Sequence, residues 1–401
     1  MQFEAYLERS KSTPLDVKLH NLYPHLFESL LPHTSRLVTL AVVVSNSSDF
    51  GRIAQHLRIP IPTLRRFTIS ASPRVDTVEL PSGIRNGCFM HVKELMLGGV
   101  SSFRSPRAFP HITKLTWQVG HRRDDPVQLS GLLDTLEQLP VLEEVDLVFQ
   151  TRRYTMTDPP PYTITLPHVQ RMSLRCSKDW KVGIPPVLEF LKLPSLVSLL
   201  ADAVPELPSP FPIFPGTSFS EHLPNFAELP EMEVFMRVGT GRVKFRSSSQ
   251  AVLDCWTVTR SFGDIAYRDD RRHWGGLPLH SVRKLTAVLQ CLAEGVEDVW
   301  LVRLLRDLGS LEHLRLEGYC GQALRRLRRL LMRGDILLGI KTLTVRSRTY
   351  DIRQAMRLKD VADGLGLEII LTCISVSKVL DACESPSDGS SEGWDLSDEG
   401  E

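Results

Sequence analysis

The sequence predicts an α/β repeat solenoid, with a parallel sheet on a concave side and helices or loops on the convex side. Three observations carry that reading. The pattern L-x-x-L-x-L, usually introduced by Pro-x, recurs along the 401 residues. Most steps between copies are roughly 27 to 30 residues, which leaves room for a convex-side helix of about two to four turns. Apolar residues at helical spacing fall in those intervals. A single copy cannot bury its own apolar face, so copies must stack.

The clearest copies place Leu64, Phe67 and Ile69 after Pro62, then Val92, Leu95 and Leu97, then Ile112, Leu115 and Trp117 after Pro110. Leu142, Val145 and Leu147 follow Pro140, and Val169, Met172 and Leu174 follow Pro167. Near the C-terminus come Leu311, Leu314 and Leu316, then Ile340, Leu343 and Val345. The last two apolar positions of each copy read as a short strand with alternate residues inward. The first starts the turn into that strand. Adding weaker copies, the turns start at Leu37, Leu64, Val92, Ile112, Leu142, Val169, Leu196, Met232, Leu311 and Ile340.

Between copies, Leu129, Leu132, Leu133, Leu136 and Leu139 line one helical face. Pro185 and Pro186 open a second expected helix with Val187, Leu188, Phe190 and Leu191, since proline is tolerated in a first turn. Residues 323–332 form a third. Two alternating segments, Val78 to Leu80 and Ile164 to Leu166, end at Pro81 and Pro167 and read as extra extended pieces.

Regularity fails over 203–226, where six prolines (205, 208, 210, 212, 215 and 224) mix with Phe211, Phe214, Phe219 and Phe226. The expectation there is a loop without helix or ladder strand, because proline donates no backbone hydrogen bond. Its phenylalanines serve either as a partner lip or, the reading we favour, as a cap over the gap. Gly239 and Gly241 mark a hairpin turn between 234–238 and 243–245, and no strands are assigned over 247–280. The organisation expected is a lead-in over 1–19, a repeat array over 20–375 interrupted at 203–226, and a disordered acidic tail over 384–401.

Charge is uneven. The net formal charge is +1, yet the last 18 residues hold seven acids and no Lys or Arg. The rest therefore carries 48 basic against 40 acidic residues, about +8. Seven scattered cysteines without C-x-x-C spacing fit a reduced protein of the cytoplasm or nucleus. Cys176 and Cys320 lie just past repeat strands, where core packing is expected. No stretch approaches the ~20 apolar residues of a membrane span.

No phosphate-loop, dinucleotide, zinc-protease, nucleophile-elbow or calcium-loop pattern is present. The twelve histidines show no metal-ligand pairing, and Glu143 and Glu144 point to opposite strand faces. We therefore expect no catalysis, no cofactor and no metal site. Strand alternation places Glu94, Met96, Lys114, Thr116, Glu144, Asp146, Arg171, Ser173 and Arg175 outward on the concave face. In the C-terminal copies these positions are His313, Arg315, Glu317, Thr342, Thr344 and Arg346. This mixed-charge strip suits a protein partner better than a polyanion, or it is simply a solvated sheet face. A second cluster, Arg325, Arg326, Arg328, Arg329 and Arg333, sits on a helix whose apolar side is Leu324, Leu327, Leu330 and Leu331. It is either a solvated basic face or a contact for an acidic partner or the tail. Base-stacking aromatics are missing from it, which disfavours nucleic acid. The run Arg268 to Trp274 mixes charge signs and reads as a solvated loop. Ser387, Ser391 and Ser397 precede acids and are candidate phosphorylation sites in the tail.

The opening residues Tyr6 to Val17 (YLERSKSTPLDV), units such as Ile164 to Leu174, and the late Leu311 to Gly318 followed by an Arg/Leu helix resemble F-box/leucine-rich-repeat-like proteins of mushroom-forming fungi. The resemblance extends over residues 3–371. It implies an irregular leucine-rich-repeat-like solenoid that selects substrate for a cullin ubiquitin ligase. Residues 1–19 then resemble the segment that follows an F-box, and adaptor docking is expected only if an F-box lies upstream of Met1. The asparagine usual after each repeat strand is mostly missing, so a smoothly curved horseshoe is not implied. The alternative is a repeat scaffold unconnected to ubiquitin, regulated by its acidic tail.

Overall fold

The computed structural model describes residues 2–20, 24–44, 60–71, 78–80, 89–103, 106–119, 127–150, 154–155, 163–176, 187–203, 219–237, 240–257, 278–289, 301, 304–333, 339–347, 349–363 and 366–373. The fold class is α/β, built on mostly parallel strands. The chain divides into two compact units, Met1–Val234 with Val238–Val282, and Phe235–Arg237 with Arg283–Glu401.

In the first unit the strands begin with β1 (Leu15–His20), β2 (Leu37–Val44), β3 (Arg66–Ala71), β4 (Val78–Leu80), β5 (Glu94–Gly98) and β6 (Val100–Phe103). Next come β7 (Lys114–Val119), β8 (Val127–Gln128), β9 (Glu144–Phe149), β10 (Tyr154–Thr155), β11 (Ile164–Thr165) and β12 (Arg171–Cys176). They are followed by β13 (Leu191–Lys192), β14 (Ser198–Ala203), β15 (Glu231–Arg237, of which Phe235–Arg237 belong to the second unit), β16 (Thr240–Arg246) and β17 (Val252–Thr257). The ladder order is β1-β2-β3-β5-β7-β9-β12-β14-β17-β16. All of these neighbours are parallel except β17 and β16. The two-residue and three-residue strands pair among themselves, β4 with β6, β8 with β10 and β11 with β13.

The motif explains the ladder at the level of single bonds. The residue after each turn-starting apolar position donates its N–H to the equivalent residue one copy earlier. Arg65 bonds Val38, Lys93 bonds Arg65, Thr113 bonds Lys93, Glu143 bonds Thr113, Gln170 bonds Glu143 and Val197 bonds Gln170, all at 2.8 or 2.9 Å. The backbone N–H groups of these turns are thereby satisfied within the chain. Register then follows. Leu40, Phe67, Leu95, Leu115, Val145, Met172, Leu199 and Leu253 form one buried row, and Val42, Ile69, Leu97, Trp117, Leu147, Leu174, Ala201 and Cys255 form the next. Phe67, Phe89 and Phe109 stack under this sheet, with adjacent ring centroids 4.7–6.1 Å apart.

The helix at Leu129–Glu137 buries the expected leucine face. Four expectations are corrected. Over 187–192 the chain makes a 3-10 turn (Val187–Phe190) and then β13, not a helix. Edge pairing of Leu191 with Ile164 competes successfully with a helix that has only a few residues after its two prolines. The segment 203–226 is not wholly loop, because Phe219–His222 is helical and Pro224–Phe226 a 3-10 turn, burying Phe219, Leu223 and Phe226. Met232 lies inside β15 instead of starting a turn. The ladder bypasses that strand: β14 pairs with β17, and Leu253 follows Leu199 by 54 positions, twice the 27 between Met172 and Leu199. β17 also fills part of the stretch 247–280 that spacing leaves unassigned. β1 pairs with β2 and starts within the segment expected as a lead-in.

In the second unit β18 (Lys284–Leu289), β19 (His313–Gly318), β20 (Thr342–Ser347) and β21 (Glu368–Cys373) are parallel neighbours. The same turn bond recurs, from Glu312 to Arg283, Lys341 to Glu312 and Glu368 to Lys341. β18 was not among the copies read from spacing. Helices Gly321–Arg333 and Thr349–Ala362 pack on one another, and the second also packs on β20 and β21.

Candidate interaction surface

In the first unit the outward residues fall into register rows. Arg66, Glu94, Lys114, Glu144 and Arg171 occupy one row with alternating sign. Arg66 pairs with Glu94 at 3.0 Å, and Glu144 holds Lys114 at 3.4 Å and Arg171 at 2.8 Å. The next row brings Met96, Thr116, Asp146 and Ser173 together, all half-buried. Arg175 crosses to it diagonally and grips Asp146 with Nε and Nη2. Further along, Arg242 donates to both oxygens of Asp254, at 2.9 and 2.5 Å. Cross-strand opposite charges of this kind stabilise a sheet face and fix its rotamers. The residues expected to meet a partner therefore meet each other first.

In the second unit His313 Nδ1 lies 2.6 Å from Thr342 Oγ1. Glu317 accepts from Arg315 Nε at 2.5 Å and lies 3.9 Å from Arg346. Thr344 is half-buried between Arg315 and Ile370 in register. Lys341 donates to Glu312 at 2.7 Å, and that bond and charge hold the Glu312 carboxyl below its usual range.

The helix Gly321–Arg333 buries Leu324, Leu327 and Leu330 and exposes Arg325, Arg326 and Arg329. Arg328 is half-buried, and its Nε, like Ser173 Oγ, is buried without a hydrogen-bond partner among the described residues. The Arg333 side chain, the Arg268 to Trp274 run, Phe211, Phe214 and the tail lie outside the described residues.

Two features escape sequence reasoning. His222 is buried, and its Nδ1 donates to the carbonyls of Leu188 and Leu191 at 3.1 and 2.8 Å. It ties the Phe219–His222 helix to the turn before β13. Burial raises the neighbouring Glu189 carboxyl, an effect the His222 charge opposes. Arg36 binds the carbonyls of Leu7, Lys11 and Thr13 and lies beside His33 Nδ1 at 3.1 Å, which caps the helix Gln2–Arg9 and its exit turn. Nothing in the spacing marks either residue.

Cys176, Cys255 and Cys320 are buried, and burial together with the Asp254 charge pushes the Cys255 thiol well up. Such thiols are inert. Among the described residues no group of three or more His, Cys, Asp or Glu is placed to hold a metal, and no helix is long and apolar enough to cross a membrane. Comparison with protein-family models and with curated proteins gives no match, so the functional reading rests on this geometry.

Proposed function

We propose that the chain is an irregular leucine-rich-repeat-like solenoid whose work is non-catalytic protein recognition inside the cell. It would act as the substrate-binding repeat region of an F-box protein does. One observation carries the reading: the same turn bond, repeated copy after copy, sets neighbouring strands in constant register. Outer-face side chains then stand in ordered rows, the charged ones opposite partners of the other sign. A face ordered in advance lowers the entropic cost of binding. Because its charges are closed on each other, the partner is held by shape and hydrogen bonding, with little dependence on salt.

The test is affinity capture on the full chain from its source cells, with proximity cross-linking. A partner lost from Thr116→Arg/Ser173→Arg but kept by Arg325→Glu/Arg329→Glu supports recognition by the strand face. A partner set indifferent to the strand-face change overturns it. Recovery of a cullin adaptor favours a role within a ubiquitin ligase; recovery of partners without it favours the unconnected scaffold.

A further inference from the structure

The helical face of the second unit differs from every strand face. Helix Gly321–Arg333 contains no acid, and together with Thr349–Ala362 it carries eight Arg or Lys against two Asp. Arg325, Arg329, Arg353 and Arg357 are exposed, and no described carboxylate pairs with them. Between them stand two large apolar side chains left open to solvent, Met332 at 66% and Met356 at 52% exposure. The two helices pack on one another, and helical spacing sets Arg325, Arg329 and Met332 on one ridge and Arg353, Met356 and Arg357 on another. Arginines flanking flexible thioethers suit a peptide that offers carboxylates around apolar anchors.

The chain itself contains such a peptide. From Glu384 to Glu401 there are seven acids and no base, with Trp394 and Leu396 on either side of Asp395. We propose that this C-terminal segment docks on the paired helices, its acids on Arg325, Arg329, Arg353 and Arg357, and Trp394 and Leu396 on Met332 and Met356. The geometry permits it. The last described strand, β21, ends at Cys373 and packs on helix Thr349–Ala362. Trp394 is 21 residues further on. A flexible chain of that length spans about 25 Å on average, longer than the ~20 Å of the basic helix. Tethering supplies an effective concentration of about a millimolar, so even a weak contact is well populated. Docking would cover the helical face until a stronger acidic partner, or high salt, displaced the segment. The inference is independent of recognition by the strand face.

The experiment is limited chymotrypsin digestion of the full chain, following cleavage after Trp394 and Leu396 by mass spectrometry. Each protein is read as its rate at low salt against its own rate at high salt. The native chain should be cut about fivefold more slowly at low salt. Two variants should lose that ratio: Arg325→Glu/Arg329→Glu/Arg353→Glu/Arg357→Glu, and Asp395→Lys/Asp398→Lys/Glu399→Lys. Combining them should restore it. The second variant changes none of the described strands and helices, so it decides the matter even if the first fails to fold. A native ratio near one, a ratio unmoved by the segment variant, or protection that rises with protein concentration would each overturn docking within one chain.

Discussion

The two units build their ladders with the same turn bond but handle charge differently. On the strand face of the first, Arg66, Glu94, Lys114, Glu144 and Arg171 alternate in sign and close on one another. On the helical face of the second, four exposed arginines have no described partner. Periodic spacing makes the first outcome natural, because register places equivalent residues side by side, and like charges directly opposite would cost stability. Helical faces have no such register between copies. The difference is one of closure: on the strands described, opposite charges meet across the ladder, whereas Arg325, Arg329, Arg353 and Arg357 on the paired helices have no described carboxylate beside them.

The shared ladder is broken most strongly through its core rows. Leu147→Ala and Leu316→Ala remove equivalent side chains from the two units, each fully buried. Each should lose about 2–5 kcal/mol. Hydrogen exchange should rise mainly over residues 60–203 for the first and over 283–373 for the second. A rise across the whole chain in both would show that the units unfold as one.

Glycines sharpen the contrast. Gly318 has φ +88°, and a Cβ there would stand 2.2 Å from the Leu289 carbonyl oxygen, so Gly318→Ala forces backbone to move. A loss of about 1–3 kcal/mol is expected in a denaturant melt. At Gly98 the nearest atoms are the Gln118 side chain at 3.1 Å and Ser70 Cβ at 3.2 Å, and φ is ordinary. Gly98→Ala should therefore cost under about 1 kcal/mol, and equal losses at both positions would contradict this geometry.

Charge removal comes next in size. Glu144→Gln strips two pairs from the first unit, and Glu317→Gln strips the Arg315 and Arg346 contacts from the second. Each should lose about 1 kcal/mol or less, and salt should shrink the loss. The arginine changes on the helical face should leave stability within about 0.5 kcal/mol, because nothing described depends on those side chains. A larger loss there would mean that the basic face is structural.

Much of the ladder is legible in the sequence, and the reason is local. Wherever turn, strand and burial are encoded within six residues, as from Leu142 to Leu147, the copy reads directly. Even there, Glu143 precedes the strand and is exposed while Glu144 is half-buried, so the two carboxylates are not divided between strand faces. Long-range decisions do not read. Met232 carries the right residue type at a plausible position, yet its strand is bypassed by the parallel ladder, and only pairing of Leu199 with Leu253 reveals that. The stretch from Val187 to Leu191 has a helical pattern but is taken by a strand partner in Ile164. Strand alternation assigns residues to the outer face from the sequence alone, whereas their cross-strand pairing depends on neighbours some 27–30 positions away. His222 and Arg36 act on carbonyls brought close only by folding.

The smallest effect gives the finest test of whether strand-side charges are closed. Glu312 lies in the turn before β19 and accepts from Lys341, which holds its carboxyl below the usual range, first by the hydrogen bond and then by charge. A carboxyl depressed in the folded state adds stability above its unfolded pKa and loses it as pH falls through the folded value. The contribution is therefore present at neutral pH and disappears only in acid. Lys341→Met should raise the Glu312 titration toward the ordinary carboxylate range, followed by carboxyl NMR. Exposure and screening keep the accompanying change in stability small. If the titration of Glu312 did not move, the pair would be a crossing of two solvated side chains, and closed charge on the second unit's strands would rest on Glu317 with Arg315 and Arg346.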